Sequence, residues 1–239
     1  MAVITNSEIK FVKSLSLKKN REQSALFTVE GEKMVSEALN SGFEVEKIYR
    51  RDEIGDAAMA RISSLSTPSP VLAVVKQRPA SAGVPEVKGI CLALDGVRDP
   101  GNMGTILRIA DWFALSCVFL SPDCVELYNP KVVQATMGAI FRVNTAVCDL
   151  PELCRSHSAE GGRVYGTLLD GDNIYGTPLT PEALIVMGNE SEGISAAVRE
   201  CLTDRILIPS FASGAGAESL NVAVATAVTV AEFRRRNAF

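Results

Sequence analysis

From residue 89 onward, short and almost unbroken apolar runs alternate with stretches of helical periodicity. The runs fall at 90–94, 117–120, 143–147, 164–168, 184–187 and 206–208, and helices are expected at 103–114, 130–141, 151–159, 195–201 and 220–236. Strands without polar alternation suit a parallel sheet with helices on both faces. The expected class is therefore α/β, doubly wound. The first 77 residues follow a second α/β pattern. Ser7 is the expected cap of a short helix with Ile9, Val12 and Leu15 on one face. A strand at 26–29 leads through Glu30-Gly31 to a helix with Met34, Val35, Ala38 and Leu39 inward, stopped by Gly42. A strand at 45–49, a helix at 52–65 and a strand at 71–76 complete it. Residues 78–88 carry Arg78-Pro79, Ala82-Gly83 and Val84-Pro85 with little periodicity, which reads as a linker. The expected domains are 1–77 and 89–239.

Composition excludes several classes. With 47% apolar and 22% charged residues, the 239-residue chain is ordinary for a globular protein. Residues 1–13 are too polar for a signal peptide, and 222–231 is too short and too rich in threonine to span a bilayer, so a cytoplasmic protein is expected. The six cysteines form no C-x-x-C pair and read as buried thiols; no metal is expected. The single histidine, His157, lies in a polar stretch, which argues against a histidine-dependent triad. The net charge of −4 does not favour nucleic acid, but the bases are clustered. Lys10, Lys13, Lys18, Lys19 and Arg21 form one cluster with no acid among them; Arg234-Arg235-Arg236 form another.

Parallel sheets bind ligands at the carboxyl ends of their strands, so the strand-to-helix junctions are the places to look. Three stand out. At the first, Pro100-Gly101 turns the chain and Asn102 is the expected helix cap. Arg108 lies off the buried stripe of Met103, Ile106, Leu107 and Ala110. One turn below it is Gly104, which leaves its guanidinium a path toward Asn102. The plain structural alternative is a capped helix with a surface arginine. At the second, Gly188-Asn189-Glu190-Ser191-Glu192-Gly193 combines backbone freedom with two carboxylates, which suits a neutral or cationic ligand rather than a phosphate; alone it would be a turn. At the third, Ile208-Pro209 is followed by a small-residue loop, 210–217, and Glu218-Ser219-Leu220-Asn221. Ser219 is the expected cap there, and Asn221 has no packing role. Gly214-x-Gly216 lacks the third glycine and the acid of a dinucleotide site, and no phosphate-binding loop occurs.

Together, Asn102-x-Gly104-x-x-x-Arg108, Gly188-Asn189-Glu190-x-Glu192-Gly193 and Ile208-Pro209 … Ser219-Leu220-Asn221-Val222 look like the three-motif signature of the SpoU (TrmH-type) RNA methyltransferases. Asn129-Pro130 and Met137-Gly138-Ala139 resemble the segment between the family's first two motifs. The resemblance covers residues 89–236. Lys18-Lys19-x-Arg21 … Phe27-x-Val29-Glu30-Gly31 is similar to the ribosomal-protein-like, RNA-binding domain of some members. The resemblance implies a parallel-sheet domain with a trefoil knot (the SPOUT fold), S-adenosylmethionine as cofactor, 2′-O-methylation of a ribose in structured RNA (ribosomal more than transfer RNA), and a homodimer. It implies Arg108, Asn102, Glu190, Ser219 and Asn221 as catalytic residues. Thr167, Leu168, Gly188, Asn189, Gly193, Ile208, Pro209 and Leu220 are the implied cofactor contacts, and Lys18, Lys19 and Arg21 the implied RNA contacts. The 210–217 loop is longer than the family's, and Ala223 stands where a serine is common. A non-catalytic RNA-binding protein on this scaffold and a base-directed knotted methyltransferase are the alternatives.

Overall fold

The computed structural model describes residues 4–79, 83–212 and 218–238. The chain divides into two compact units, Met1–Pro79 with Glu126–Arg142, and Ala80–Val125 with Val143–Phe239.

The first unit is built on β1 (Leu26–Glu30), β2 (Val45–Arg50) and β3 (Val71–Lys76), antiparallel in the order β1-β3-β2. Alternation along β3 feeds two cores. Val71, Ala73 and Val75 join Phe27, Val29 and the inner side of α3 (Glu32–Leu39); Leu72 and Val74 join Ile9, Val12, Leu15, Met59 and Ile62. The second group comes from α1 (Asn6–Ser14), its C-cap residue and α5 (Asp56–Ile62). Three local expectations change. Thr5, not Ser7, caps α1, because Thr5 and Glu8 close a reciprocal capping box. Leu39 is 52% exposed, since α3 ends there and Asn40 forms its cap. The 52–65 helix is instead α4 (Arg51–Ile54) and α5, parted by Gly55 at φ 83°.

Glu126–Arg142 follows β5 in sequence yet completes the first unit's core. It holds α7 (Pro130–Ala135) and a short 3-10 turn, Ala139–Phe141, with Val133, Ile140 and Phe141 packed against Phe27 and Val35. The single helix expected over 130–141 is broken where Met137 (φ 50°) and Gly138 (φ 98°) take left-handed backbone. Arg21, on α2 (Lys18–Ser24), does not face solvent. It is 1% exposed, donates to the Leu15 carbonyl at 2.8 Å, and forms a two-pronged pair with Glu126. That corrects its expected place among the RNA contacts: a guanidinium with these partners has no free edge for a phosphate. Lys18 and Lys19 on the same helix are exposed.

The second unit carries six parallel strands: β4 (Ile90–Leu94), β5 (Val118–Leu120), β6 (Thr145–Val147), β7 (Val164–Asn173), β8 (Ala183–Met187) and β9 (Asp204–Leu207). Their order is β6-β5-β4-β8-β7-β9. β4 and β8 are buried along their whole length, as their composition requires. Around them run α6 (Pro100–Trp112), α8 (Leu150–Ala159), α9 (Ala196–Arg199) and α10 (Val222–Ala238). Cys91, Cys117, Cys148 and Cys154 sit in this core as free thiols, and burial pushes the thiols of Cys117 and Cys154 up to about 12.

The C-terminal arginines are structural. Arg234 donates to the carbonyls of Phe113 and Ala114, Arg236 to those of Ile174, Tyr175 and Thr177, and both Arg235 and Arg236 pair with the buried Glu232. The Arg235 and Arg236 guanidiniums hold the Glu232 carboxyl down at about 2. A depressed carboxylate pKa stabilises the fold above the unfolded pKa and loses that contribution as pH falls through the folded one. Glu232→Gln is therefore expected to lower stability by about 1–2 kcal/mol at neutral pH, allowing for solvent around Arg235. The gap to the unsubstituted protein should close between about pH 5 and pH 2. Denaturant melts across that range check it; a gap independent of pH would show that the ion pairs are not its source.

Candidate active site

The sheet order sets the carboxyl ends of β4, β8, β7 and β9 side by side, and the three junctions singled out above emerge there. The loop after β8 folds back tightly. Its strand-like bridge joins Asn189 to Gly193, and a Cβ on Gly188 would stand 2.3 Å from the Gly193 carbonyl carbon and 2.4 Å from the Ile194 nitrogen. Only glycine fits that passage. The Asn189 side chain is committed to the loop: Oδ1 accepts from the Ser191 and Glu192 amides at 2.8 and 3.0 Å, and Nδ2 donates to the Gly96 carbonyl at 2.6 Å. Its contribution to a ligand is thus one of shape.

This fold of the loop delivers Glu190 to the mouth of α6. Asn102 Nδ2 donates to Glu190 Oε1 at 2.8 Å, and Asn221 Nδ2 donates to Asn102 Oδ1 at 2.9 Å. Three residues separated by up to 119 positions thereby join in one hydrogen-bonded row. The capping roles differ from expectation. α6 begins two residues before Asn102, and its cap is Asp99, whose carboxylate accepts the Asn102 amide at 2.7 Å. Asn102 is thus freed to face the other loops. At α10 the cap is Asn221 rather than Ser219: Asn221 Oδ1 accepts from the Ala223 and Val224 amides at 3.0 and 3.3 Å. One asparagine side chain therefore both starts the helix and, through its amide, holds Asn102.

Arg108 is exposed, with no hydrogen bond or ion pair among the described residues, so it makes no hydrogen bond to Asn102. Ser219 is exposed beside the row and Leu220 is 49% exposed. The remaining residues follow the sheet. Gly188 comes directly after β8 and Ile208-Pro209 directly after β9. Thr167 and Leu168 mark the point where the pairing of β7 with β9 shifts between Thr167 and Asp172. The Thr167 hydroxyl donates to the Val186 carbonyl at 3.0 Å. Thr167, Leu168, Gly188, Ile208 and Pro209 are all half-buried and uncharged. Residues 213–217, including Gly214 and Gly216, lie outside the described residues.

The chain resembles known proteins over nearly its whole length. Residues 89–231 match the model of the SpoU rRNA Methylase family, and residues 6–58 that of the MRM3-like substrate binding domain. The chain belongs to the SpoU rRNA methylase family. It is 32% identical to the 23S rRNA (guanosine(2553)-2'-O)-methyltransferase RlmP of Bacillus subtilis, over 96% of both chains. A putative RNA methyltransferase of the TrmH family from Porphyromonas gingivalis superposes with a TM-score of 0.89 at 38% identity, over 98% of this chain and 100% of that one. An AdoMet-bound rRNA methyltransferase from Sinorhizobium meliloti gives 0.88 at 27%, over 98% and 97%.

In this SpoU methylase, some groups at the site went unread in the sequence. Asp95, directly after β4 and only 8% exposed, accepts the Ser195 amide on its carboxylate at 2.7 Å and so ties the end of the β8 loop to β4. A lone acid closing an apolar strand was the available signal. Ser121 takes the Gly96 amide at 2.9 Å and donates to Asp123 at 2.6 Å, and that bond holds the Asp123 carboxyl below the usual range. Arg98 lies between Asp123 and Glu192, 3.4 and 3.5 Å from each. Among the described residues, no group of three or more His, Cys, Asp or Glu is placed to hold a metal ion.

Gly188→Ala is expected to cost about 2–3 kcal/mol, because the added methyl meets backbone that packing holds on all sides. Urea unfolding measures it. A variant as stable as the parent would show that the loop has slack and that its shape does not depend on this glycine.

Proposed function

We propose that the protein transfers the methyl group of S-adenosylmethionine to a ribose 2′-hydroxyl of ribosomal RNA. The observation that carries this reading is the Glu190–Asn102–Asn221 row at the start of α6, the helix that also carries an exposed, unpaired Arg108, in a chain of the SpoU family. Thr167, Leu168, Gly188, Gly193, Ile208, Pro209 and Leu220, with Asn189 shaping the loop, would hold the cofactor. The set fits it: Thr167, Leu168, Gly188, Ile208 and Pro209 give half-buried, uncharged surface at adjacent strand ends that suits an adenosine, while the exposed carboxylates of Glu190 and Glu192 suit a cationic group and repel phosphate. The close passages at Gly188, and at Gly171 where a Cβ would stand 2.6 Å from the Ile206 backbone, support the knotted arrangement of the family. The cofactor, when bound, supplies a methyl group already activated on a sulfonium.

What remains for the protein is to align the attacking oxygen and manage its charge. Glu190 Oε1 is occupied by Asn102, whereas Oε2 has no partner among the described residues and can accept the hydrogen of the ribose hydroxyl. Asn102 and Asn221 keep that carboxylate in place. Arg108, always protonated, grips the adjoining phosphate and stabilises the negative charge that develops on the 2′-oxygen. Ser219 would line the ribose side. Exposed Lys18 and Lys19, in residues 1–77, would contact the RNA backbone without reading its sequence. We further propose a homodimer through the outer surfaces of α6 and α10, where Trp112 is 85% and Val224 51% exposed.

Arg108→Ala is expected to lower methyl transfer to ribosomal RNA at least about 100-fold while S-adenosylmethionine affinity by calorimetry stays within about twofold. Full activity in that variant would sink the assignment. Mass mapping of the methyl group distinguishes ribose from base. For the dimer, Trp112→Glu should sediment as a monomer; an unchanged sedimentation coefficient would move the interface elsewhere.

A further inference from the structure

In the first unit a cavity of about 90 Å³ opens beside β1, between the end of α1, the end of α5 and the start of α7. Val12, Ile62 and Pro130 form its apolar walls, and Lys13, Thr28 and Ser64 bring polar groups to it. Thr28 is the telling residue. It is 8% exposed, and its hydroxyl has no hydrogen-bond partner among the described residues. Its oxygen is not sealed from solvent, so without a protein partner it is free to pair with a group that enters the cavity. Ser64 donates its own proton to Glu30 Oε1 at 2.7 Å, which leaves its lone pairs for an incoming donor. Lys13 is exposed and unpaired among the described residues, as are Lys10 and Lys19.

These groups specify their occupant. Apolar walls, with the Ser64 proton already spent on Glu30, do not suit a bare phosphate ion, which needs donors on every side. They suit the edge of a nucleobase, which is flat, apolar on its faces and rich in N–H donors at its rim. A single ammonium at the mouth suits the phosphate attached to it. We infer that this cavity receives one unpaired nucleotide of the RNA substrate, with the base edge at Thr28 and Ser64 and its phosphate at Lys13. The inference rests on the reading of the protein as an RNA methyltransferase. It adds a binding subsite for the flank of the target, remote in sequence from the methyl-transfer residues.

Thr28→Val and Lys13→Ala, each in the full chain, separate the contributions. The probe is a fluorescein-labelled single-stranded RNA of mixed sequence, with a blunt duplex of equal length as control. Thr28→Val is expected to bind the single strand about tenfold more weakly, to bind the duplex as before, and to melt at or above the temperature of the unsubstituted protein. Lys13→Ala is expected to weaken both RNAs and to flatten the salt dependence. Single-strand binding by Thr28→Val at full strength overturns the proposal. So does equal weakening of strand and duplex, because the hydroxyl would then serve the fold. Ser64→Ala provides a second test should Thr28→Val melt early: unchanged single-strand affinity in both variants also overturns it. If the unsubstituted protein methylates no ribosomal RNA, the enzymatic reading fails first, a result distinct from failure of the pocket alone.

Discussion

The loop after β8 has no room for a side chain at Gly188, and the rest of the site depends on that. Because the chain passes its own backbone so closely there, the six residues from Gly188 to Gly193 form a tight, internally bridged turn instead of a floppy connection. Asn189 pins the turn to Gly96 and Asp95 pins its end at Ser195, so both anchors lead back to β4. Glu190 then has one place to go, beside Asn102. A carboxylate on a loosely held loop would spend entropy on reaching that position; here the turn is already closed.

The second consequence is a division of labour among polar groups. Asp99 and Asn221 cap helices, and Asn102 and Asn221 face one another because those caps set where each helix starts. Glu190 is held by one oxygen and open at the other. Arg108 is exposed and has no hydrogen bond or ion pair among the described residues, so its charge is not spent inside the protein.

The first unit shows the opposite use of arginine. Arg21 is buried and paired to Glu126, fastening α2 to a segment that sequence order places beyond β5. Removing one partner of such a pair strands the other charge, so the pair acts more as a specification of packing than as a source of stability. With Arg21 occupied, the bases of the N-terminal cluster that stay exposed are the lysines of α1 and α2, Lys10, Lys13, Lys18 and Lys19. Lysine is a flexible point charge, suited to tracking a backbone rather than reading bases.

The sequence by itself determined the strands, the helices and the three junctions at which chemistry collects. Apolar runs such as Ile90–Leu94 and Val71–Lys76 leave few other conformations, and glycine with asparagine at a strand end announces a turn. It also determined the family, through ordered motifs. It did not determine which residue caps which helix, because Asp99 and Asn102, or Ser219 and Asn221, are all competent caps and only the geometry of the preceding turn chooses. It misjudged Arg21, since nothing in a run of bases says which one meets a distant glutamate. And it could not show that Asn102, Glu190 and Asn221 form a single hydrogen-bonded row. That contact joins the ends of different strands of a parallel sheet, and only the order of the strands, decided by packing across the whole core, sets those ends side by side.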